Sequence, residues 1–395
     1  MRSWKRFFPV LMFLPSFLLG QDVAALHDEA FVMDGHIHVM TRQLLQGLDI
    51  GDRYPNGDVD LPRAREGGLD AMFFSIYTPE AYYPGRFETK NTLRVLSLAR
   101  DQIDQNADVI ELALTASDIE RINRAGKMAA FIDLEGGFDL DGDLNVLRGF
   151  YALGLRSVQL TAHNYTNNFA DSCCDLRKWG GLNDHGREVV KEMNRLGIVI
   201  NTAHASEETI LQTVELSTDP VIFSHGGFRH FVDIPRCISD KSAKAVAAKG
   251  GVIGLQWGST FNNPKYHAWR NEGRPPRRAD ISTRLGSWHG LTLAEIDERV
   301  GRNLGSPRRR IPDPYWMHVD QLVNVIDYAI GLVGEDHIAL GSDFDGGPPL
   351  PREIKDISDY PEMTKALKRK GYTDSRIKKI LGLNWLRVIR QVTED

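Results

Sequence analysis

The 395-residue sequence predicts a (β/α)8 TIM-type barrel with an insertion between its seventh and eighth strands and a C-terminal helical cap. Three observations predict it. Eight short apolar runs recur along the chain, helical patterns separate most of them, and ionisable residues gather just past the ends of the runs. The length suits one large barrel with insertions.

The runs are residues 31–35 (FVMDG), 71–77 (AMFFSIY), 128–134 (MAAFIDL), 155–160 (LRSVQL), 198–202 (IVINT), 221–224 (VIFS), 251–255 (GVIGL) and 338–341 (IALG). Near-continuous apolarity is the mark of parallel strands covered on both faces. Helical spacing appears over 91–104, 143–152, 186–196, 207–216 and 241–248. The last four lead into the next run through a polar or glycine-containing junction, as repeated βα units do. An open doubly wound sheet is the alternative, because a strand count does not show closure.

Two segments break the repeat. Residues 259–314 are long and rich in Arg, Pro and Asn, with one amphipathic stretch at 293–304. Arg277, Arg278 and the Arg308 to Arg310 run read as a solvated loop face. The tail, 361–392, reads as two helices capping the barrel.

Apolar residues make up 42% of the chain and charged residues 26%, which places it among soluble globular proteins. The net charge of −5, with both signs interspersed, argues against a nucleic-acid partner. The N-terminus differs from the rest. Arg2, Lys5 and Arg6 precede an apolar run at 7–19, and no acidic residue comes before Asp22. This order reads as a signal peptide over 1–25, cut after Gly20 or Ala25, and the mature protein would begin near residue 26. Export to the periplasm or the medium follows. Thirteen apolar residues are too few for a membrane helix, which needs about 20, so no transmembrane anchor is evident. Residues 391–395 are polar and carry no lipid-anchor signal.

The three cysteines are Cys173, Cys174 and Cys237, an odd number that leaves at least one unpaired within the chain. Bonding between neighbours is disfavoured by disulfide geometry, so a bond from Cys173 or Cys174 to Cys237 is the pairing to look for.

The chemistry lies at the run ends. His36 and His38 close the first run, Glu135 follows the third, His163 the fourth, His204 the fifth, His225 the sixth and Asp343 the eighth. Barrel enzymes keep their active sites at this C-terminal rim. Each residue alone reads as a strand-end histidine, a turn or a loop cap. Together they would be costly to bury unless paired or coordinated. Nitrogen and carboxylate ligands without thiolates point to a metal centre. Glu135 is placed centrally enough to bridge two ions, with His36 and His38 on one and His204 and His225 on the other. Two ions about 3.5–4 Å apart can share a hydroxide and polarise a carbonyl.

From residue 31 to 392 the sequence resembles the membrane dipeptidase (renal dipeptidase) family of the amidohydrolase superfamily. The resemblance is carried by DLEGG at 133–137, LTAHNYTNNFADS at 160–172, PVIFSH at 220–225, Arg236 with Asp240, GSDFDG at 341–346, and the tail motifs Tyr360-Pro361 and NWLR at 384–387. It implies a binuclear Zn2+ site, two ions per chain, held by His36, His38, Glu135, His204 and His225. It also implies that His163 contacts the scissile carbonyl, that Arg236 binds the carboxylate of a dipeptide substrate, and that Asp343 is the general acid/base. Better-known members carry Asp where this chain has His38, and the 259–314 insertion is longer than in compact members. A homodimer is compatible with the sequence.

Two other functions compete. A lactonase or amidase of the same superfamily would commonly bridge its metals with a modified lysine on the fourth strand, and 155–163 contains no lysine. A metal-free binding protein on a decayed barrel is disfavoured because every candidate ligand is a residue type that coordinates metal.

Overall fold

The computed structural model describes residues 16–39, 46–79, 82, 87–135, 143–161, 165–273, 290–304 and 311–394, with backbone alone at 16–21 and 302–304. All eight runs are strands: β1 (Met33–His38), β2 (Ala71–Tyr77), β4 (Met128–Glu135), β5 (Ser157–Gln159), β6 (Val199–Asn201), β7 (Ile222–Gly226), β8 (Val252–Leu255) and β9 (Ile338–Leu340). A ninth strand, β3 (Ile110–Leu112), was not expected. Its three residues are too few for a readable period. β2 pairs along β4 from Ala129 to Glu135, so β3 takes the start of the other edge and β5 pairs further along that edge, at Asp133 and Leu134.

The main path runs β1-β2-β4-β5-β6-β7-β8-β9, every pair parallel. A parallel bridge between Ile37 and Phe344 joins its two ends. His38 N donates to Phe344 O at 3.0 Å, and Asp343 N donates to His36 O at 3.0 Å. The ring is therefore a nearly closed barrel, and the open-sheet alternative falls.

Strand alternation sorts the core. On β2 and β4, Met72, Phe74, Ile76, Ala130, Ile132 and Leu134 join the outer cluster against the helices. Ala71, Phe73, Ala129 and Phe131 point inward, joined by Met33, Val199, Ile222 and Val252. Successive residues of a strand face opposite sides, so the inner face of β4 reads Ala129, Phe131, Asp133, Glu135. It is apolar at the base and ionisable at the mouth.

The tail closes the base with three helices where two were expected. Helices Pro361–Arg369 and Asp374–Lys378 lead through a π-helical turn, Lys379–Leu383, into helix Asn384–Thr393. The last helix pushes the fully buried Trp385 into the barrel, where Nε1 donates to Leu340 O at 2.9 Å. A β-carbon at Gly35 or Gly254 would overlap the indole, so these strands need glycine there. Burying about 200 Å² of indole is worth roughly 5 kcal/mol before entropy.

The five expected helices form; the first runs Glu88–Gln105 without a side-chain cap, and side-chain caps set the starts of the other four. Asp143 caps Leu144–Ala152, Asn183 caps Asp184–Leu196, Ser206 caps Glu207–Leu216 and Ser239 caps Asp240–Ala248. Within the insertion, now between β8 and β9, helix Leu293–Leu304 lies where the amphipathic pattern put it. It docks on the segment after β2: Asp297 accepts from Tyr82 Oη at 2.6 Å and pairs with Arg94 at 2.9 Å. Arg277, Arg278 and Arg308 to Arg310 lie outside the described residues.

Helix Ser16–Glu29 is tied to the domain. Val23 and Leu26 are buried, and His27 bonds Thr364 Oγ1 at 2.7 Å and Gly67 O at 3.0 Å. Among the described residues, no helix is long and apolar enough to cross a membrane.

Candidate metal centre

The ends of β1, β6 and β7 converge on Glu135, which lies at the end of β4 and is 2% exposed. Its two oxygens divide the histidines. Oε2 lies 3.2 Å from His36 Nε2 and 3.0 Å from His38 Nε2. Oε1 lies 3.1 Å from His204 Nε2 and 3.8 Å from His225 Nε2. Within each pair the imidazole nitrogens face each other, at 3.2 Å for His36 and His38 and at 3.0 Å for His204 and His225. Asp343 joins the first pair, with Oδ1 3.1 Å from His38 Nε2.

The far nitrogens of His36 and His225 hold those two rings in place. His36 Nδ1 bonds Ser75 Oγ at 2.9 Å, and His225 Nδ1 bonds Ser224 Oγ at 2.9 Å. That leaves each Nε2 turned inward, the arrangement in which a bound partner on one nitrogen frees the other for metal. The rings of His36 and His225 stack at 3.7 Å between centroids.

Backbone strain marks the same place. Among the described residues, His204, Asp343 and Asp345 are the non-glycine residues with left-handed φ, at 65°, 63° and 60°. Such conformations cost free energy and survive where surrounding contacts hold them. A β-carbon at Gly346 would overlap Asp343 Oδ1, so glycine is required beside the site.

The electrostatics ask for positive charge at the centre. Burial would lower the pKa of His36, but the charge of Glu135 and the bond to Asp133 outweigh it and raise the value to about 9. Burial opposes the charged form of His38 too, yet Glu135 and Asp343 push it well above the usual range. Burial would raise Glu135, but the charges of His38 and His36 hold it well below the carboxylate range. Four imidazoles and a central carboxylate, without a thiolate, form a donor set that fits divalent metal. His36, His38 and Asp343 offer ligand atoms within 4.8 Å of one another, as do His36, Glu135 and His225.

Arg236, beyond β7, is 5% exposed. Its Nη2 donates to His225 O at 3.0 Å and lies 3.1 Å from His204 Nε2. Nε and Nη1 are buried without a partner. Burial lowers its pKa. The Phe223 and Phe261 rings flank it at 5.7 and 5.3 Å. Asp240, four residues on, is bonded to Tyr328 Oη at 2.8 Å.

The structure thus brings together His36, His38, Glu135, His204, His225, Arg236 and Asp343. His163 lies outside the described residues. The two strands without an expected ligand also reach the site. Tyr77, at the end of β2, packs edge-on against His38 at 5.6 Å. Gln256, just past β8, donates to Asp343 Oδ2 at 3.0 Å. The strand-end rule would have found both had it been applied to amides and phenols.

The cysteine expectation is corrected. Cys173 and Cys174 bond each other, with Cα atoms 3.8 Å apart, and Cys237 is free and buried. The physical reason is position: Cys237 Sγ sits against Phe261 O at 3.7 Å, next to Arg236, whereas the adjacent pair occupies a loop anchored by Cys173 N to His204 O at 2.7 Å.

Comparison with known proteins identifies the family. The sequence profile of the family described as membrane dipeptidase (peptidase family M19) matches residues 21–395. Dipeptidase tcpJ of Claviceps purpurea (strain 20.1) is 28% identical over 86% of this chain and 70% of its own length. Dipeptidase 3 of Rattus norvegicus is 28% identical over 95% of this chain and 68% of its own. Among solved structures, the probable dipeptidase PvdM from Pseudomonas aeruginosa superposes with a TM-score of 0.78 at 23% identity, covering 96% of this chain and 100% of that one. A metallo peptidase from Rhodobacter sphaeroides, liganded with a phosphinate mimic of the dipeptide L-Ala-D-Ala, gives 0.72 at 22% identity, covering 92% and 99%. With a profile matched along nearly the whole sequence, the chain belongs to the membrane dipeptidase family, peptidase family M19, and is a metallo-dipeptidase of that family.

Proposed function

We propose that this metallo-dipeptidase holds two Zn2+ ions per chain and hydrolyses small dipeptides that carry a free C-terminal carboxylate. The observation that carries the reading is the division of Glu135, with Oε2 toward His36 and His38 and Oε1 toward His204 and His225. In it, His36, His38 and Glu135 hold one ion, and Glu135, His204 and His225 the other. Zinc, when bound, supplies an activated water and a Lewis acid for the peptide carbonyl.

The chain's own residues do the rest. Arg236 has two buried nitrogens, Nε and Nη1, without a partner, and a guanidinium N–H makes a charge-assisted bond to a carboxylate. A dipeptide has its carboxylate one residue from the scissile carbonyl, so an arginine beside His204 and His225 fixes the substrate end to end. Asp343, steadied by Gln256, carries a proton from the attacking water to the leaving amine. His163 steadies the carbonyl oxygen, as the family resemblance implies. Direct coordination by Asp343 is the alternative role, and it would rest on the 3.1 Å approach of Asp343 Oδ1 to His38 Nε2.

The charge order of the first twenty residues supports export. Cleavage after Gly20 keeps Val23 and Leu26 in their packed helix, whereas a cut after Ala25 removes Val23.

The test is a dipeptide panel, including D-residues at the C-terminal position, with and without chelator. Free-acid dipeptides should be cleaved, C-terminal amides poorly, and chelator should stop both. Equal cleavage of acid and amide would remove the carboxylate anchor from the account.

A further inference from the structure

One layer below the histidines, the barrel interior holds a carboxylate that the reaction above does not use. Asp133 is fully buried and lies between Phe131 and Glu135 on the inner face of β4. Its Oδ1 accepts from Ser157 Oγ at 2.5 Å and, at a long 3.4 Å, from Asn201 Nδ2. Its Oδ2 accepts from Ser75 Oγ at 3.2 Å and Gln159 Nε2 at 3.3 Å, and lies 3.5 Å from His36 Nδ1. Donors from β2, β5 and β6 therefore meet on one side chain, directly beneath the ring of His36.

The network continues to the other half of the centre. Asn201 Oδ1 accepts from Ala203 N at 3.1 Å and from Ser224 N at 3.2 Å. Ala203 immediately precedes His204, and Ser224 holds the His225 ring. Asp133 thus connects by hydrogen bonds to the supports of three of the four histidines.

Charge gives the arrangement its reason. Among the described residues, no lysine or arginine pairs with Asp133; its one ionisable cationic neighbour is His36. A buried carboxylate needs compensation from nearby positive charge. Four neutral imidazoles and one carboxylate would leave two divalent cations under-neutralised. Asp133 supplies a further negative charge one shell out, through the imidazole.

We propose that Asp133 is a positioning residue for the metal centre. It fixes the His36 ring with Nε2 toward the ion, and through Asn201 it steadies the segments carrying His204 and His225. The inference rests on the two-metal reading above. Loss of an outer partner of a metal-bound histidine typically costs about 10- to 100-fold in metal affinity.

The experiment compares wild type, Asp133→Asn and Ser75→Ala. Each is stripped with chelator, checked for folding by far-ultraviolet circular dichroism and thermal unfolding, and titrated with Zn2+ against a competing chelator. Co2+ absorption spectra are recorded in parallel. Asp133→Asn should fold as apoprotein, bind zinc about 10- to 100-fold more weakly and give an altered Co2+ spectrum. Ser75→Ala, which leaves the buried carboxylate in place, should weaken binding in the same direction by less. If Asp133→Asn folds and keeps wild-type zinc affinity and Co2+ spectrum, the inference is overturned. If Asp133→Asn fails to fold, Ser75→Ala decides, and unchanged affinity and spectrum there overturn it. A wild type that takes up no zinc overturns the two-metal reading itself, a result distinct from either.

Discussion

The two halves of the centre use the same residue type in opposite electrostatic settings. On the β1 side, His36 and His38 face Glu135 Oε2 and are backed by Asp133 and Asp343. Against the opposing effect of burial, these carboxylates raise His36 to about 9 and hold His38 well above its ordinary value. On the β6–β7 side, His204 and His225 face the same carboxylate through Oε1 but have Arg236 beside them. Burial first, then the charges of His36 and Arg236, push His225 well below its ordinary value. In the proposed reading both halves would hold an ion, and Arg236 on the second would in addition attract an anion. A peptide substrate brings such an anion in its C-terminal carboxylate.

The sharpest way to break this comparison is to remove the residue both halves share. Glu135→Gln takes the bridging charge from between the two histidine pairs. We expect both zinc sites to lose occupancy and turnover to fall below detection, measured by metal analysis beside a dipeptide assay. A variant that kept two metals per chain would show that Glu135 is not the bridge.

The next largest effect belongs to the β1 side alone. Asp343→Asn should lower kcat by roughly 10²- to 10⁴-fold, the usual worth of a positioned proton-transfer group, with both metals retained. Loss of one metal in that variant would mean that the contact with His38 is coordination shared with the ion. The role of general acid/base would then pass from Asp343.

The smallest of the three separates substrate from metal on the β6–β7 side. Arg236→Ala should leave zinc content unchanged and reduce kcat/KM for free-acid dipeptides by roughly 10- to 100-fold, the worth of hydrogen bonds to a charged group. The amidated substrate should respond little. Equal losses for acid and amide would turn Arg236 into a support for His204 and His225.

Much of this was legible in the sequence because strand ends are. The eight runs carried their own punctuation, and the candidate ligands follow them at once, so Glu135 and the four histidines could be placed at the barrel mouth before any coordinates. Closure was not legible, since the bridge between Ile37 and Phe344 depends on two segments some 300 residues apart. Ser75, Asp133 and Asn201 were hidden for another reason. They sit inside apolar runs, and only the alternation of a closed barrel shows that they face inward beneath the site. Gln256 and Tyr77 were passed over because neither is an ordinary zinc ligand. The bond between Cys173 and Cys174 was misjudged from the general cost of joining neighbours, without the loop that holds them against His204.

The central claim is a pair of ions on either side of one carboxylate. Anomalous scattering at the zinc edge, from crystals of the wild-type protein grown with zinc, tests it most directly. The account predicts two peaks, about 3.5–4 Å apart, one between Glu135 Oε2 and the His36–His38 pair and the other between Oε1 and the His204–His225 pair. A single peak, or two peaks that do not share Glu135, would contradict it.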